Sequence, residues 1–413
     1  MGKSKFIIIP LLILIPLVVS FFIYQFVFSD SFNRQFNRIV KSYIFDIGEW
    51  EVVTLSAEIS EYLNDETGIS SQDTSVVKAY FSNLEEIRRR EAEITAIRSG
   101  IGQGDLSVLE DELNELLRQN QAMVETVELV LETQVAEALA EHGILNPWEE
   151  YTEYQGSFPP VNFILGRPPR VLVLSPRDRI ERLRETTLFP DIDLEDMENI
   201  ETQISELGVS ALVVGVGGMA TYPSYVTEST NLRYVIDTIT EEWLHQYLAF
   251  KPLGFLYMLH LTGINRNDDI VTMNETLAGI VSTEIGASIY QKYYASGETA
   301  ETPQSPVEPI FDFNKEMREI RRTVDEYLAQ GEIEKAETYM EEKRLYLARN
   351  GYYIRKLNQA YFAFCGSYAD SPTSINPIGV EMKQLREQSD SLKGFLEIVA
   401  EMTTRQELAE SVN

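Results

Sequence analysis

The stretch Thr238-Ile239-Thr240-Glu241-Glu242-Trp243-Leu244-His245-Gln246-Tyr247 decides how this chain is read. At about 100° per residue, Leu232, Val235, Ile239, Trp243 and Phe250 fall on one apolar face of a helix. Glu241 and His245, one turn apart, share the opposite face, and Glu242 overlooks the same cleft from about 100° round. Two ligand-type side chains one turn apart can chelate a metal, and an adjoining glutamate can serve as a base. A Glu–His pair is equally the composition of an ordinary solvated helix face, so this stretch alone leaves both readings open.

Its neighbours narrow the choice. Met273-Asn274-Glu275-Thr276-Leu277-Ala278-Gly279 opens a second helix whose Glu275 side carries Ala278, Gly279, Ser282 and Gly286. Small residues there allow the close helix approach that a shared metal requires. Glu284 points the other way and is expected to be paired or solvated. Upstream, Gly217-Gly218-Met219-Ala220-Thr221-Tyr222-Pro223-Ser224 follows an apolar run. Glycines at such a strand end let an extended peptide pair with the exposed edge, or simply end the strand.

The order of G-G-M and Y-P, then E-x-x-H, then N-E-x-x-A resembles the gluzincin metallopeptidases, nearest their aminopeptidase-like branch, from about Val209 to Tyr294. A weaker likeness extends to Leu357-Asn358-Gln359-Ala360 and Gly366-Ser367-Tyr368-Ala369-Asp370. The resemblance implies an α+β, zincin-like catalytic domain with a small mixed sheet. It implies Zn²⁺ or another divalent metal held by His245 and Glu275, with Glu241 where the family has histidine. Glu242 becomes the general base, Tyr368 an oxyanion stabiliser, and Gly217, Gly218 and Met219 the substrate-binding edge. The implied partner is a peptide or protein substrate; a pseudopeptidase or envelope scaffold on the same fold is the alternative. A Glu-His-Glu set is harder and more anionic than the family's own, which implies either weaker zinc binding or a preference for another divalent ion. Ala220 and Thr221 stand where aminopeptidases carry the glutamate that binds a substrate amino terminus. His260, fifteen residues beyond His245, reads as a core or surface histidine rather than a replacement ligand.

The rest of the chain frames this centre. Phe6 to Phe28 carries no charge and spans roughly 35 Å as a helix, which reads as an uncleaved transmembrane anchor of residues 1–28. Phe21 to Ser31 offers no small-x-small cleavage site. Lys3 and Lys5 precede the span while Arg34, Arg38 and Lys41 follow it, so charge scarcely sets its direction. The short basic N-terminus is expected inside, placing the large domain outside the cytoplasm. A juxtamembrane segment (29–71) leads to a helical hairpin (72–146). In its second arm Leu106, Leu109, Leu113, Leu116, Met123, Val127 and Val130 predict one continuous helix, with Asn120 at a seam position. Such a hairpin either packs on the catalytic body or serves in oligomerisation. The gluzincin-like domain takes 147–296, a linker 297–310 and a helical region 311–413. Acidic residues outnumber basic ones 65 to 35, a net charge of −30 that repels phosphate backbones and argues against nucleic acid. Cys365 is the single cysteine, which excludes an internal disulfide and a cysteine zinc cluster.

Overall fold

A computed structural model describes residues 31–47, 70–148, 156–295, 311–366, 373 and 377–412. The anchor Phe6–Phe28, the 297–310 linker and Tyr368 lie outside the described residues. Within them no helix is long and apolar enough to cross a membrane. The architecture is mixed α/β, mostly helical, with two small sheets.

Helix α1 (Ser31–Val40) is followed by α2 (Thr74–Arg98), α3 (Leu106–Gln121) and α4 (Val124–Glu141). Gly100, at φ +75°, closes α2, and Asp105 caps α3 by accepting from the Ser107 amide. The continuous helix expected from Leu106 to Val130 is instead broken at Ala122–Met123. Before the break α3 packs on α2 and stays largely exposed. After it, Val127, Val130, Leu131, Val135 and Leu139 enter the main core. The apolar stripe runs through both helices, but it changes partners, and a stripe carries no record of which surface it covers. The hairpin therefore joins the body through α4 and through α2, whose Val77, Tyr80 and Phe81 lie in the same core and whose Tyr80 donates to Glu228.

Six strands follow: β1 (Phe163–Gly166), β2 (Arg170–Pro176), β3 (Arg184–Leu188), β4 (Val209–Val214), β5 (Gly218–Met219) and β6 (Ser224–Thr227), with α5 (Leu194–Ser205) between β3 and β4. They form two three-stranded sheets rather than the one mixed sheet expected. In the antiparallel sheet β3–β2–β4, alternation sends Leu172 and Leu174 into a core with Phe36 of α1 and Ile200 of α5. Val173 and Leu212 face the other way, towards Ala360. The second sheet has the order β1–β6–β5, with β1 parallel and β5 antiparallel to β6. The outer edge of β1 is covered by α4: Glu132 accepts from the Phe163 amide at 3.0 Å and Glu128 from the Leu165 amide at 2.6 Å. That leaves β5 as the other edge.

The remaining chain is helical: α6 (Leu232–Leu248), α7 (Pro252–Leu261), α8 (Asp268–Tyr293), α9 (Phe313–Ala329), α10 (Ile333–Arg349), α11 (Gln359–Cys365), α12 (Ile378–Gln388), α13 (Leu392–Ala400) and α14 (Arg405–Ser411). The α9–α10 hairpin, turned at Gly331 (φ +75°), has its own core of Met317, Ile320, Val324, Met340 and Phe362. The last three helices belong elsewhere, since Met382, Phe395, Leu396 and Leu408 pack into the main core with α6 and α8. The region after 310 thus serves two cores.

Candidate metal centre

The centre is built where α6 meets α8. Asn231 caps α6 by accepting from the Tyr234 amide at 3.1 Å, and Asn267 caps α8 by accepting from the amides of Asp269 and Ile270. Of the small residues on α8, Ala278, Ser282 and Gly286 are buried. Gly286 leaves room for the Asp237 carboxylate of α6, since a Cβ there would lie 1.9 Å from Asp237 Oδ1. Gly279 has open space around it and plays no part in the approach.

This packing brings Glu241, His245 and Glu275 together, with one ligand atom from each within 4.8 Å of the others. His245 Nε2 and Glu275 Oε2 are 3.7 Å apart, too far for a hydrogen bond and close enough for a shared ion. Each is held from behind. Asn274 Oδ1 lies 2.9 Å from His245 Nδ1. With the proton on Nδ1, Nε2 is left as a free lone pair. Tyr257 of α7 donates its hydroxyl to Glu275 Oε1 at 2.8 Å, and its ring stacks on His245 at 5.8 Å and 18°. This face is therefore covered rather than solvated. The His245 side chain keeps 11% of its exposure, because α8 lies across it. Glu242 is buried more deeply still, against the backbone of Gly218.

The electrostatics of these carboxylates favour a cation. Burial raises the Glu241 pKa to about 7, and the charges of Glu275 and Asp237 push it the same way. Among the described residues His245 opposes that shift. Glu242 is pushed well above the carboxylate range by burial, then by Glu241 and Glu275. Three desolvated carboxylates sharing one histidine form a donor set that a divalent ion would neutralise. Oxygen and nitrogen donors in a 2:1 ratio suit Zn²⁺, or a harder first-row ion.

The substrate-side residues read from the sequence are also adjacent. Thr227 donates its amide to Gly217 O at 2.8 Å, so pairing alternates and Gly218 directs its own N–H and C=O away from β6, to the open side of β5. Met219 follows it along the same edge. Gly217 is confined for another reason: a Cβ there would meet the Tyr234 hydroxyl at 2.2 Å. Gln246 ties α6 to the β5–β6 connection, donating to Thr221 O and, at 2.8 Å, to Ser224 Oγ.

Other residues stand apart from the centre. His260 is buried, accepts from the Asn267 amide at 2.9 Å, and has its pKa lowered to about 4 by burial and nearby arginines. Glu284 forms a two-point ion pair with Arg386 at 2.8 and 2.9 Å. Asn358 caps α11 and donates to Ala211 O, so it stitches α11 to β4. Sequence reasoning missed Tyr257, Asn274 and Gln246 as site-shaping residues. Asn274 stood beside Glu275 in the quoted motif; Tyr257 sat in the apolar run Pro252–Leu261 with only its hydroxyl to mark it.

No family model matches the chain, and no curated protein or solved structure matches it either. What it does must be argued from this geometry.

Proposed function

We propose that the chain is a membrane-anchored, metal-dependent peptide hydrolase of gluzincin-like design, held to the bilayer by Phe6–Phe28 with its large domain outside the cytoplasm. The observation that carries this reading is the convergence of Glu241, His245 and Glu275 within 4.8 Å, beside a buried Glu242 and an open strand edge. A divalent cation held by those three residues would polarise a scissile carbonyl and acidify water. Glu242 takes the proton of the attacking water and delivers it to the leaving amine. Its raised pKa in the metal-free protein suits a group made to carry a proton, and a cation nearby would lower it. The outward N–H and C=O of Gly218 align an extended backbone, with specificity left to side-chain contacts.

The test measures metal content and peptide turnover together on the full-length chain. Glu242→Gln should keep its metal and lose hydrolysis by roughly 10² to 10⁴, the size of a general-base contribution. His245→Ala should lose both. Unchanged turnover in Glu242→Gln would sink the mechanism. A metal-loaded wild-type chain that turns over no peptide would instead favour a peptide-binding pseudopeptidase.

A further inference from the structure

A cavity of about 410 Å³ opens where the β2–β3 connection, the start of α8 and helices α9, α11 and α14 meet. Small-ligand sites are of this size and gather where substructures join. None of its lining residues belongs to the metal centre. On α8 it is bounded by Asp268 and Thr272, which precede Glu275 by two turns and by one.

Most of the charges around it are spent on the fold. Arg182 is buried; it donates through Nε and Nη2 to the carbonyls of Ala363 and Phe364 and pairs with Glu185 at 3.1 Å. Glu181 is taken by Arg179, Arg405 by Glu381 at 2.9 Å, and Asp269 is engaged as well. Two groups are different. Arg321 keeps 14% of its side-chain exposure and engages only its Nε, which donates to Asp325 at 2.8 Å. Its guanidinium lies over the Phe362 ring at 5.8 Å, and Nη1 stands against Gly366, where a Cβ would come within 3.0 Å. Phe362 and Gly366 are themselves cavity wall, so the outer edge of the guanidinium borders the cavity. Among the described residues neither Nη atom has a hydrogen-bond partner. The Asp268 carboxylate, exposed on the first turn of α8, likewise makes no hydrogen bond or ion pair among the described residues. A fork of N–H donors and a carboxylate thus line one cavity without meeting. A ligand whose two ends carry the complementary charges satisfies both at once.

We propose that this cavity binds a free amino acid, with the ligand's carboxylate on Arg321 and its ammonium on Asp268. The Nη1 and Nη2 edge of a guanidinium takes a carboxylate through two parallel hydrogen bonds, a geometry that a lysine does not offer. Ile180 and Pro377 supply the accessible apolar wall, which suits an aliphatic side chain. The site is separate from the proposed hydrolysis and stands whether or not the metal centre is active.

Calorimetric titration of the full-length chain tests the proposal with four probes: L-leucine, N-acetyl-L-leucine, L-leucinamide and inorganic phosphate. Leucine should bind, and removing either of its charges should weaken binding by about tenfold or more. Asp268→Asn should erase the preference for leucine over N-acetyl-leucine and keep the preference over leucinamide. Arg321→Gln should do the reverse, and Arg321→Lys, which keeps the charge without the fork, should fall between. Should Arg321→Gln fail to fold, Asp268→Asn, an exposed helix-end change, carries the test alone. No leucine binding at up to about 10 mM overturns the proposal, as does equal binding of leucine and either blocked form. Phosphate binding as tight as leucine marks a simple anion site and overturns it. Leucine binding that both variants leave unchanged places the ligand elsewhere on the chain and overturns it too.

Discussion

Gly218 on β5 and Glu242 on α6 pack so closely that a methyl group at 218 would lie 2.4 Å from Glu242 Oε1 and 2.6 Å from its Cγ. The strand edge proposed to align the substrate is thus also the wall that holds the proposed base. Gly218→Ala should displace the Glu242 side chain at a cost of about 1–3 kcal/mol, the usual penalty for overpacking. The ligands Glu241, His245 and Glu275 are untouched by this change. Metal content should stay at the wild-type value while turnover falls at least as far as in a mild general-base lesion, roughly 10²-fold. Metal analysis beside a peptide assay checks it, and equal loss of both would show that the glycine supports the whole centre.

Glu241 supplies a pH test. Its pKa is about 7 in the folded metal-free protein against an ordinary 4.5, so the fold binds a proton that the unfolded chain releases. The stabilisation is complete below pH 4.5 and is lost as pH rises through 7. Metal-free protein should therefore lose on the order of 3 kcal/mol across that window. Glu241→Gln should lose less, separating this group from the general repulsion of an acidic chain. A divalent ion competes with the proton, so the gap in melting temperature between metal-loaded and metal-free protein should widen with pH. Parallel slopes for wild type and Glu241→Gln would contradict the assignment.

Tyr257 reaches Glu275 through its hydroxyl and His245 through its ring. Tyr257→Phe removes the hydrogen bond and keeps the stacked ring, so metal affinity should fall by about 10- to 100-fold, as for other residues that orient ligands. Tyr257→Leu removes both contacts and should fall further. Competition against a chelator of known affinity measures the two, and identical affinities would assign the whole effect to the ring.

Gly286 and Gly279 sit on one helix and should answer oppositely. Gly286→Ala drives a methyl into Asp237 and should destabilise by about 1–3 kcal/mol while weakening metal binding. Gly279→Ala meets open space in a helix interior and should stabilise by roughly 0.5–1 kcal/mol, with metal binding unchanged. Denaturant melts with and without metal distinguish them. A neutral Gly286→Ala would show that the Asp237 carboxylate moves aside without cost.

Much of this arrangement was legible from local pattern. Val77, Tyr80, Leu84, Ile87 and Ile94 recur at helical spacing within Thr74–Arg98, and Gly100 and Asp105 are residue types that end one helix and cap the next. The core runs of β1, β2 and β4 announced themselves by branched apolar residues. β3 did not, because Arg184–Leu188 carries a single buried apolar residue and is a strand only by pairing with β2. β5 is two residues long and exists through β6 alone. The break at Ala122–Met123 was hidden for a similar reason, since apolar spacing reports a face and not the surface that covers it.

By itself the sequence determined which side chains a helix presents together: Glu241 with His245 one turn apart, Glu242 beside them, and small residues around Glu275. That follows from helix periodicity, which needs no partner. Only the tertiary structure decided that these faces meet, that His245 and Glu275 are braced by Asn274 and Tyr257, and that Glu242 turns towards Gly218. Those contacts join residues 18 to 29 positions apart, or more than one element away, and depend on how closely two backbones approach. Periodicity fixes direction around one axis; the distance between axes is set by packing.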